Sequence, residues 1–452
     1  AWYHIVVAVD TTQTTDTNRV CIYVNGVKET AFDTATYPSQ NADLAMNWYQ
    51  TGNAGSTIEM ISDYRASPHE DYRLDGYLAD YHSVDGLSFF SDINGTANTS
   101  FNINSFGENK NGVWIPKSYT GSHGTQGYHL KFIGTGTSQS SGAVASPTNI
   151  GDDSSGQNNH WAVNNLSSHD ANIPDCPENN FATMDILSFP LTTDNIGEGN
   201  LRVGQTDQSV HASAFGIPTS GKWYWEINTV SSNGSNYYMP YAGVVNSTFF
   251  HAYQAQTGNA GDDLRNTTGL SYIRGNDTNY KNLTGTSVVS GANKSGEDTT
   301  THEQGILGLA LDSDAGTLKY YWNNSLVRTD STLTAGDLYF PYNFGTNSGS
   351  NSWNFNYYNF GQDSSFAGTQ TAQGNTDANG NGDFYYAPQG LALCSANLTE
   401  PPISPAQNTQ AVNHFGILTY TANGNASRSI VSGASGIGGE IDFKPDWLWV
   451  KS

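Results

Sequence analysis

Residues 305–327, GILGLALDSDAGTLKYYWNNSLV, constrain the fold of this chain more than any other segment. The first half is a run of apolar residues, and the second half alternates Leu318, Tyr320 and Trp322 with other residues, which is the period of a strand that buries one face. The run DSDAG between the halves is rich in turn-forming residues and contains a glycine that can take positive φ. The segment therefore predicts two antiparallel strands joined by a tight turn.

A strand with the same period lies at 221–227, GKWYWEI. Trp223, Trp225 and Ile227 share one of its faces, because successive side chains of a strand point to opposite sides. Three strands that each carry one apolar face are buried economically by an antiparallel β-sandwich, in which the apolar faces of two sheets meet.

The composition agrees with this fold class. Gly contributes 48 of 452 residues, aromatic residues 12% and charged residues only 13%, which is typical of strands that carry aromatics and are joined by loops rich in Gly, Asn, Ser and Thr. No long stretch shows helical periodicity. We therefore predict an all-β chain of tandem antiparallel β-sandwiches.

The GKWYWE strand and the hairpin ILGLALDSDAGTLKYYWNN are followed by LYFP at 338–341 and YYNFG at 357–361. Together these segments resemble a SPRY-type β-sandwich, and the resemblance covers residues 181–400. SPRY domains are binding modules, so the resemblance implies recognition and not catalysis.

The N-terminal part contains WYHIVVAVD at 2–10 and RVCIYVNG at 19–26, where the final Asn-Gly pair favours a hairpin turn. With DGYLADYHSVDG at 75–86, these runs resemble the second half of a laminin-G or concanavalin-A-like jelly roll. Their order of strand, Asp-led turn, strand and Asn-led turn recurs in 305–324, which indicates two related sandwiches in tandem.

These patterns predict a domain order, with three prolines between 401 and 405 as a stiff boundary. Because the chain starts and stops inside predicted strands, we expect it to be a fragment of a longer polypeptide. The predicted domains are a concanavalin-A/laminin-G-like sandwich with a strand-bearing extension and without its first strands (1–135), a connector (136–180), a SPRY-type sandwich (181–400) and the truncated start of a further β domain (401–452).

The charge of the chain argues against two classes of partner. A net charge of −23 argues against binding of nucleic acid or of an anionic membrane by the general surface. No segment approaches the ~18 apolar residues of a membrane span, so we predict no membrane insertion. Three widely spaced cysteines exclude a disulfide framework, and Cys21 lies in an apolar run that predicts burial.

The sequence predicts no enzyme. It contains no Gly-x-Ser-x-Gly elbow, and its eleven histidines, which include His82, His123 and His129, show no repeated spacing and are interpreted as structural or surface residues. Concanavalin-A-like glycosidases use paired carboxylates on one strand. Glu226 has no carboxylate two or four residues later, and the remaining acidic candidates are Asp80 and Asp85.

One motif points to a metal. DANGNGD at 377–383 follows the opening of a calcium-binding loop, with candidate oxygen ligands on Asp377, Asn379, Asn381 and Asp383 and a glycine at the sixth position. The twelfth position is a proline, which cannot supply the bidentate ligand of an EF-hand. The motif therefore predicts either a Ca²⁺ site or a Gly/Asn-rich turn between strands.

Aromatic residues in the expected loops are candidate recognition residues. Trp48 and Tyr49 lie in a long loop of the first domain, and Tyr237, Tyr238 and Tyr253 lie between strands of the second. Rings beside Asn and Asp suit glycan binding, because the ring stacks on the C–H face of a sugar while amides bind its hydroxyls. Packing of each loop on its own sheet and contact between subunits are the alternatives.

A second resemblance spans nearly the whole chain and rests on an ordered series of segments. The series is similar to the multi-domain architecture of tailed-phage virion proteins, notably marine and cyanobacterial phage fibre or adhesin-like proteins. Its segments are DGYLADYHSVDG, GVWIPKSYTGSHGTQGYHLKF, DDSSGQNNHWAVNNLS, PENNFATMD, NFGQDSSF, GNGDFYYAPQGLALCSANL, LTYTANGNASRSI and IDFKPDWLWVKS.

This resemblance implies an extracellular protein of the virion surface that serves as a tail fibre, adhesin or decoration component. It implies binding to a host-surface glycan or to neighbouring virion proteins, and a homo-oligomer, with a trimer favoured. Two alternatives stay open from the residues. One is a glycan-degrading enzyme on a concanavalin-A-like scaffold, and the other is a secreted surface lectin.

Overall fold

The computed structural model describes most of the central part of the chain and less of its ends. The described residues are 2–44, 74, 76–86, 102–110, 113–185, 187–188, 196–204, 210–231, 241–254, 269–274, 279–281, 283, 287–288, 305–344, 354–399, 419–420 and 437–438.

The described elements are strands, with helix α1 (Ser247–Gln254) and short 3₁₀ turns at Asp16–Asn18, Ile103–Ser105, Ser168–Asp170 and Ser395–Asn397. The strands are β1 (Ile5–Val9), β2 (Val20–Val24), β3 (Val27–Lys28), β4 (Tyr81–Ser83), β5 (Gly107–Lys110), β6 (Val113–Pro116), β7 (Tyr128–Leu130), β8 (Met184–Asp185), β9 (Ile196–Gly197), β10 (Arg202–Gly204), β11 (Val210–Ser213), β12 (Lys222–Ser231), β13 (Tyr241–Asn246), β14 (Leu270–Arg274), β15 (Asn279–Lys281), β16 (Ser287–Val288), β17 (Ile306–Asp312), β18 (Thr317–Trp322), β19 (Ser325–Asp330), β20 (Tyr339–Phe344), β21 (Asn354–Asn359), β22 (Leu391–Ala392), β23 (Thr419–Tyr420) and β24 (Ile437–Gly438).

The predicted all-β class is confirmed. The strands pair antiparallel, except that β22 runs parallel to β12. Within the part of the chain that the structure describes, no helix combines the length and the apolar character that a membrane span requires.

The chain divides into two compact units. The predicted domain boundaries near residues 135, 180 and 400 stay predictions. Unit 1 comprises Ala1–Trp2, Asp43–Leu87 and Gly121–Asn397, and unit 2 comprises Tyr3–Ala42, Ser88–Thr120 and Leu398–Ser452.

Unit 2 contains a three-stranded sheet in the order β1-β2-β3 and two further strand pairs, β5-β6 and β23-β24. Ala8, Cys21 and Tyr23 form its small apolar core. The predicted turn at Asn25 and Gly26 is confirmed, since both residues have positive φ (48° and 78°) between β2 and β3. Cys21 is buried, as its apolar run predicts.

We expect Gly26→Ala to destabilise unit 2 by about 2 kcal/mol. Alanine is strained at the positive φ of this position, and its Cβ would overlap the ring of Trp114, which also donates from Nε1 to Nδ1 of His4 over 2.9 Å. Asn41→Ala is the control within the same unit, because Asn41 also has positive φ (60°) but is exposed. Equal losses in the two variants on chemical unfolding would show that the Trp114 contact contributes nothing.

Unit 1 is built around a β-sandwich. One sheet has the strand order β19-β18-β17-β12-β21-β10-β9, with β22 added beside β12, and the other has the order β16-β15-β14-β13-β20-β11-β8. The predicted hairpin is confirmed as β17 and β18, which pair from Leu307 and Trp322 at one end to Asp312 and Thr317 at the other. Apolar side chains of both sheets form one core between them.

Strand β12 is buried on both faces. Trp223, Trp225 and Ile227 lie in the core between the sheets, as their alternation predicts. On the opposite face, Tyr224 packs in a second apolar cluster that includes Phe384, because the segment after β21 folds back over this sheet. Tyr224 and Glu226 on this face are therefore also removed from water.

Candidate functional site

Several strand connections of the sandwich leave from the same end, which we call the rim. In one sheet, the register places the end of β12 at Ser231 beside the start of β21 at Asn354, and Asn228 beside the start of β17 at Ile306. In the other sheet, the end of β20 at Phe344 lies between the starts of β11 and β13. The strand ends at the rim include Gly204, Val210, Ser231, Tyr241, Arg274, Asn279, Val288, Ile306, Phe344 and Asn354.

The chain segments that join these ends are 205–209, 232–240, 275–278, 289–304 and 345–353. Tyr237 and Tyr238 belong to the second of these segments and lie outside the described residues, as do Trp48 and Tyr49. Their predicted role as glycan or partner contacts stays a prediction.

Tyr253 lies elsewhere, and the prediction of a loop around it is wrong. It belongs to α1, which follows the end of β13 opposite the rim, since Asn246 pairs with Tyr339 at the start of β20. Asn246 begins the helix by accepting a hydrogen bond from Phe249 N over 2.9 Å, which is the pattern of an N-cap. The fold therefore places α1, which carries Tyr253, after the strand end opposite the rim.

The DANGNGD loop uses its leading carboxylate within the protein. Oδ1 of Asp377 accepts hydrogen bonds from the backbone N–H groups of Asn379 (2.8 Å) and Asn381 (2.9 Å). Oδ2 accepts from Ala392 N (2.9 Å) and from Nδ2 of Asn397 (2.7 Å). The same Asn397 accepts, through Oδ1, from the side-chain amides of Asn379 and Asn381.

Asp383 is bonded in a similar way, because its two carboxylate oxygens accept from Ser364 N (3.2 Å) and Gly374 N (3.1 Å). These bonds form a turn held by carboxylates, in agreement with the Gly/Asn turn that was the alternative to calcium. The Ca²⁺ site stays a prediction.

We expect Asp377→Asn to lower the free energy of unfolding of unit 1 by about 2 kcal/mol in the presence of EDTA. The substitution replaces one acceptor oxygen by an amide that faces two N–H donors in a buried position. Thermal unfolding with and without Ca²⁺ measures the effect. A loss of stability that appears only when Ca²⁺ is present would instead indicate that the carboxylate of Asp377 binds the ion.

The acidic candidates for catalysis, Glu226, Asp80 and Asp85, each bond other protein groups. Glu226 is fully buried on the outer face of β12 and accepts four hydrogen bonds, from Tyr385 N (2.8 Å), Tyr386 N (2.8 Å), Tyr224 Oη (3.1 Å) and Asn359 Nδ2 (3.3 Å). Burial raises the pKa of Glu226 to about 7, and these bonds lower it by less.

Asp80 and Asp85 lie instead around a cluster of three histidines. Oδ1 of Asp80 bonds Nε2 of His129 over 2.7 Å, and this bond holds the pKa of Asp80 below its usual value. Asp85 N donates to the backbone oxygen of His123 over 2.8 Å. The fold therefore brings His82, His123 and His129 together although their spacing in the sequence shows no pattern.

The fold brings the three histidines together in two ways. Strands β4 and β7 pair antiparallel and place His82 directly opposite His129. His123 lies in the loop before β7 and is buried, and Nδ1 of His82 and Nε2 of His123 are 3.0 Å apart. The ring centroids lie 3.8 Å apart for His82 and His129, and 5.4 Å apart for His82 and His123.

His129 and Asp153 act on the pKa of His123 in opposite directions. Burial lowers the pKa of His123, the nearby His129 lowers it further, and the carboxylate of Asp153 raises it. Asp153 also accepts from His129 N over 2.8 Å. One sequence signal points to the pairing of β4 with β7, because each strand contains a Tyr-His dipeptide. In the structure the two tyrosines, Tyr81 and Tyr128, stack with their ring centroids 5.9 Å apart.

Comparison with known proteins gives no matching family model and no matching curated protein. Among solved structures, the chain is similar to the SPRY domain of human HERC1, with 16% identity, a TM-score of 0.26 and coverage of 38% of this chain and 93% of that one. It is also similar to the PSpry domain of TRIM65, with 14% identity, a TM-score of 0.28 and coverage of 39% of this chain and 89% of that one. TM-scores this low carry no argument about function, and the sandwich is established by its own two sheets.

Proposed function

We propose that this chain is a non-enzymatic recognition protein whose SPRY-type sandwich binds through its rim. The observation that carries the proposal is that ten strand ends, which five chain segments join, lie at one end of a two-sheet scaffold. Binding residues are commonly placed on loops that such a scaffold positions, because loops vary freely while the sheets hold their ends. The ligand would be a host-surface glycan or a neighbouring protein.

The composition of the rim segments supports this role. Asn, Ser, Gly and Thr predominate in them, and Tyr237, Tyr238 and Trp353 are their aromatic residues. Tyrosine combined with Ser, Gly and Asn is typical of binding loops, since the ring supplies contact area at a low entropic cost and the small polar residues supply adaptable hydrogen bonds.

The virion setting rests on the ordered series of segments that resembles tailed-phage fibre and adhesin-like proteins. In that setting the chain is a surface component of the virion, a tail fibre, adhesin or decoration protein, and assembles as a homo-oligomer, with a trimer favoured. The non-enzymatic part of the proposal is supported by Glu226, whose carboxylate is buried and fully used by protein donors.

The test is binding of the full chain to an array of immobilised bacterial surface polysaccharides. We expect the double variant Tyr237→Ala and Tyr238→Ala to bind at least tenfold more weakly than the wild type. Tyr253→Ala is the matched control, because it removes a tyrosine of the same unit at the opposite end of the sandwich, and it should bind normally. Equal loss in both would contradict the rim as the binding surface.

A second measurement on the same samples addresses the enzymatic alternative. Release of reducing ends or unsaturated sugars from a bound polysaccharide would overturn the non-enzymatic proposal in favour of the glycan-degrading enzyme. Binding that leaves the polysaccharide intact supports the proposal.

A further inference from the structure

We propose that His82, His123 and His129 bind one divalent transition-metal ion, with Zn²⁺ as the reference ion. Each histidine offers one ring nitrogen, and these three nitrogens all lie within 4.8 Å of one another. This is the one group of three His, Cys, Asp or Glu side chains with such geometry among the described residues. None of the three histidines belongs to the rim, so the test of this site is independent of the proposed function.

The spacing of two of the nitrogens is already close to that of ligands on a common ion. Tetrahedral coordination with Zn–N bonds of about 2.0–2.1 Å places neighbouring nitrogens roughly 3.3 Å apart. Nδ1 of His82 and Nε2 of His123 are 3.0 Å apart. The rings are stacked and nearly parallel, so they must turn to direct their lone pairs at an ion, and the second side-chain torsion of histidine allows this because it is broad.

The backbone around the cluster is held in place before any ion binds. His82 and His129 are fixed opposite each other by the β4–β7 pair. The loop that carries His123 is held by the hydrogen bond from Asp85 N to the His123 oxygen. It also packs closely on the neighbouring backbone at Gly124 and Gly127, where a side chain would overlap backbone atoms. Binding therefore needs movement of rings and not of the chain.

The surroundings of His129 resemble the outer shell of a metal site. Proteins orient a ligating histidine by a bond from its other ring nitrogen to a carboxylate, and Asp80 makes such a bond to Nε2 of His129. Asp80 and Asp153 also bring negative charge close to the position of a divalent cation. Asp80 is thus a positioning residue in this proposal.

The donor set selects the class of ion. Three neutral imidazoles suit Zn²⁺, Cu²⁺, Ni²⁺ and Fe²⁺, whereas Ca²⁺ and Mg²⁺ require oxygen ligands. Three protein ligands leave a fourth position of a tetrahedral ion for water or for a donor from another molecule.

The experiment uses the full chain after removal of metal with EDTA and dialysis. Titration with Zn²⁺, followed by calorimetry, should show one ion per chain, and Zn²⁺ should raise the melting temperature of unit 1. Co²⁺ as a second probe should give the intense visible bands of a tetrahedral site. Absence of both saturable Zn²⁺ binding and these bands would overturn the proposal and leave the rings as a structural stack.

Variants identify the ligands. His123→Gln and the double variant His82→Gln with His129→Gln should lose the Co²⁺ bands, whereas His169→Gln, a histidine of the same unit outside the cluster, should keep them. Asp80→Asn should weaken Zn²⁺ binding about 10- to 100-fold while the stoichiometry stays at one ion. Asparagine tolerates the positive φ of Asp80 (53°) and its amide oxygen can still accept from His129, so the melting temperature of the metal-free protein should fall only slightly. Undiminished binding by the double histidine variant would refute the assignment.

Discussion

Replacing Glu226 by alanine should lower the free energy of unfolding of unit 1 by about 4 kcal/mol. The substitution leaves Tyr385 N, Tyr386 N and the Tyr224 hydroxyl without the carboxylate oxygens that now accept from them. Each buried donor that loses its partner costs about 1–3 kcal/mol, and Glu226 itself is fully buried. The two backbone donors belong to the segment that covers the outer face of β12, so the loss of the carboxylate also removes hydrogen bonds that hold this segment on the sheet.

Chemical unfolding monitored by tryptophan fluorescence measures this effect. Glu178→Ala removes an exposed carboxylate of the same unit and should change stability by less than about 0.5 kcal/mol. A similar small change for Glu226→Ala would show that the segment at 385–386 does not depend on the carboxylate.

The raised pKa of Glu226 adds a pH dependence of known sign. Burial raises this pKa from 4.5 to about 7, so the folded protein keeps a proton that the unfolded chain has already lost between these values. The contribution of Glu226 to stability is therefore fully present below pH 4.5 and is lost as the pH rises through about 7. Between pH 4.5 and about 7, the free energy of unfolding of the wild type should fall by up to about 3 kcal/mol relative to that of Glu226→Gln. A relative stability that increases with pH would contradict this assignment.

Replacing Trp225 by alanine should also lower the free energy of unfolding of unit 1, by about 4 kcal/mol. Trp225 is fully buried between the sheets, faces Leu309 of β17 across the ladder, and is among the largest buried side chains of the chain. Its removal leaves a cavity that strands paired on both sides of β12 cannot close. Thermal and chemical unfolding should both show the loss.

Phenylalanine variants separate volume from hydrogen bonding. Nε1 of Trp225 has no partner among the described residues, whereas Nε1 of Trp223 donates to the Ser220 oxygen over 2.8 Å. Trp225→Phe removes a buried unpaired N–H, so it should lower the free energy of unfolding by less than Trp223→Phe, which loses a hydrogen bond. The reverse order would show that shape and not polarity governs these positions.

The strands that alternate most regularly were predictable from sequence. Alternation of apolar residues identified β17, β18 and the core face of β12, because the side chains of a strand point to opposite faces in turn whatever the rest of the chain does. The Asn25-Gly26 turn was predictable for an equally local reason, since these residues tolerate positive φ. Helix α1 was missed because it is a single short element between strands, stabilised by the Asn246 cap and by packing of Phe250 on Phe340.

By itself, the sequence determined the all-β class, the central hairpin and the turns, which depend on residues that are neighbours along the chain. Only the tertiary structure decided that Glu226 is buried, that several strand ends share one rim, and that three histidines meet. His82 and His129 come from strands far apart in sequence, and His123 from the loop that returns between them. Their meeting depends on the pairing of β4 with β7, and no periodicity within either segment encodes a pairing partner.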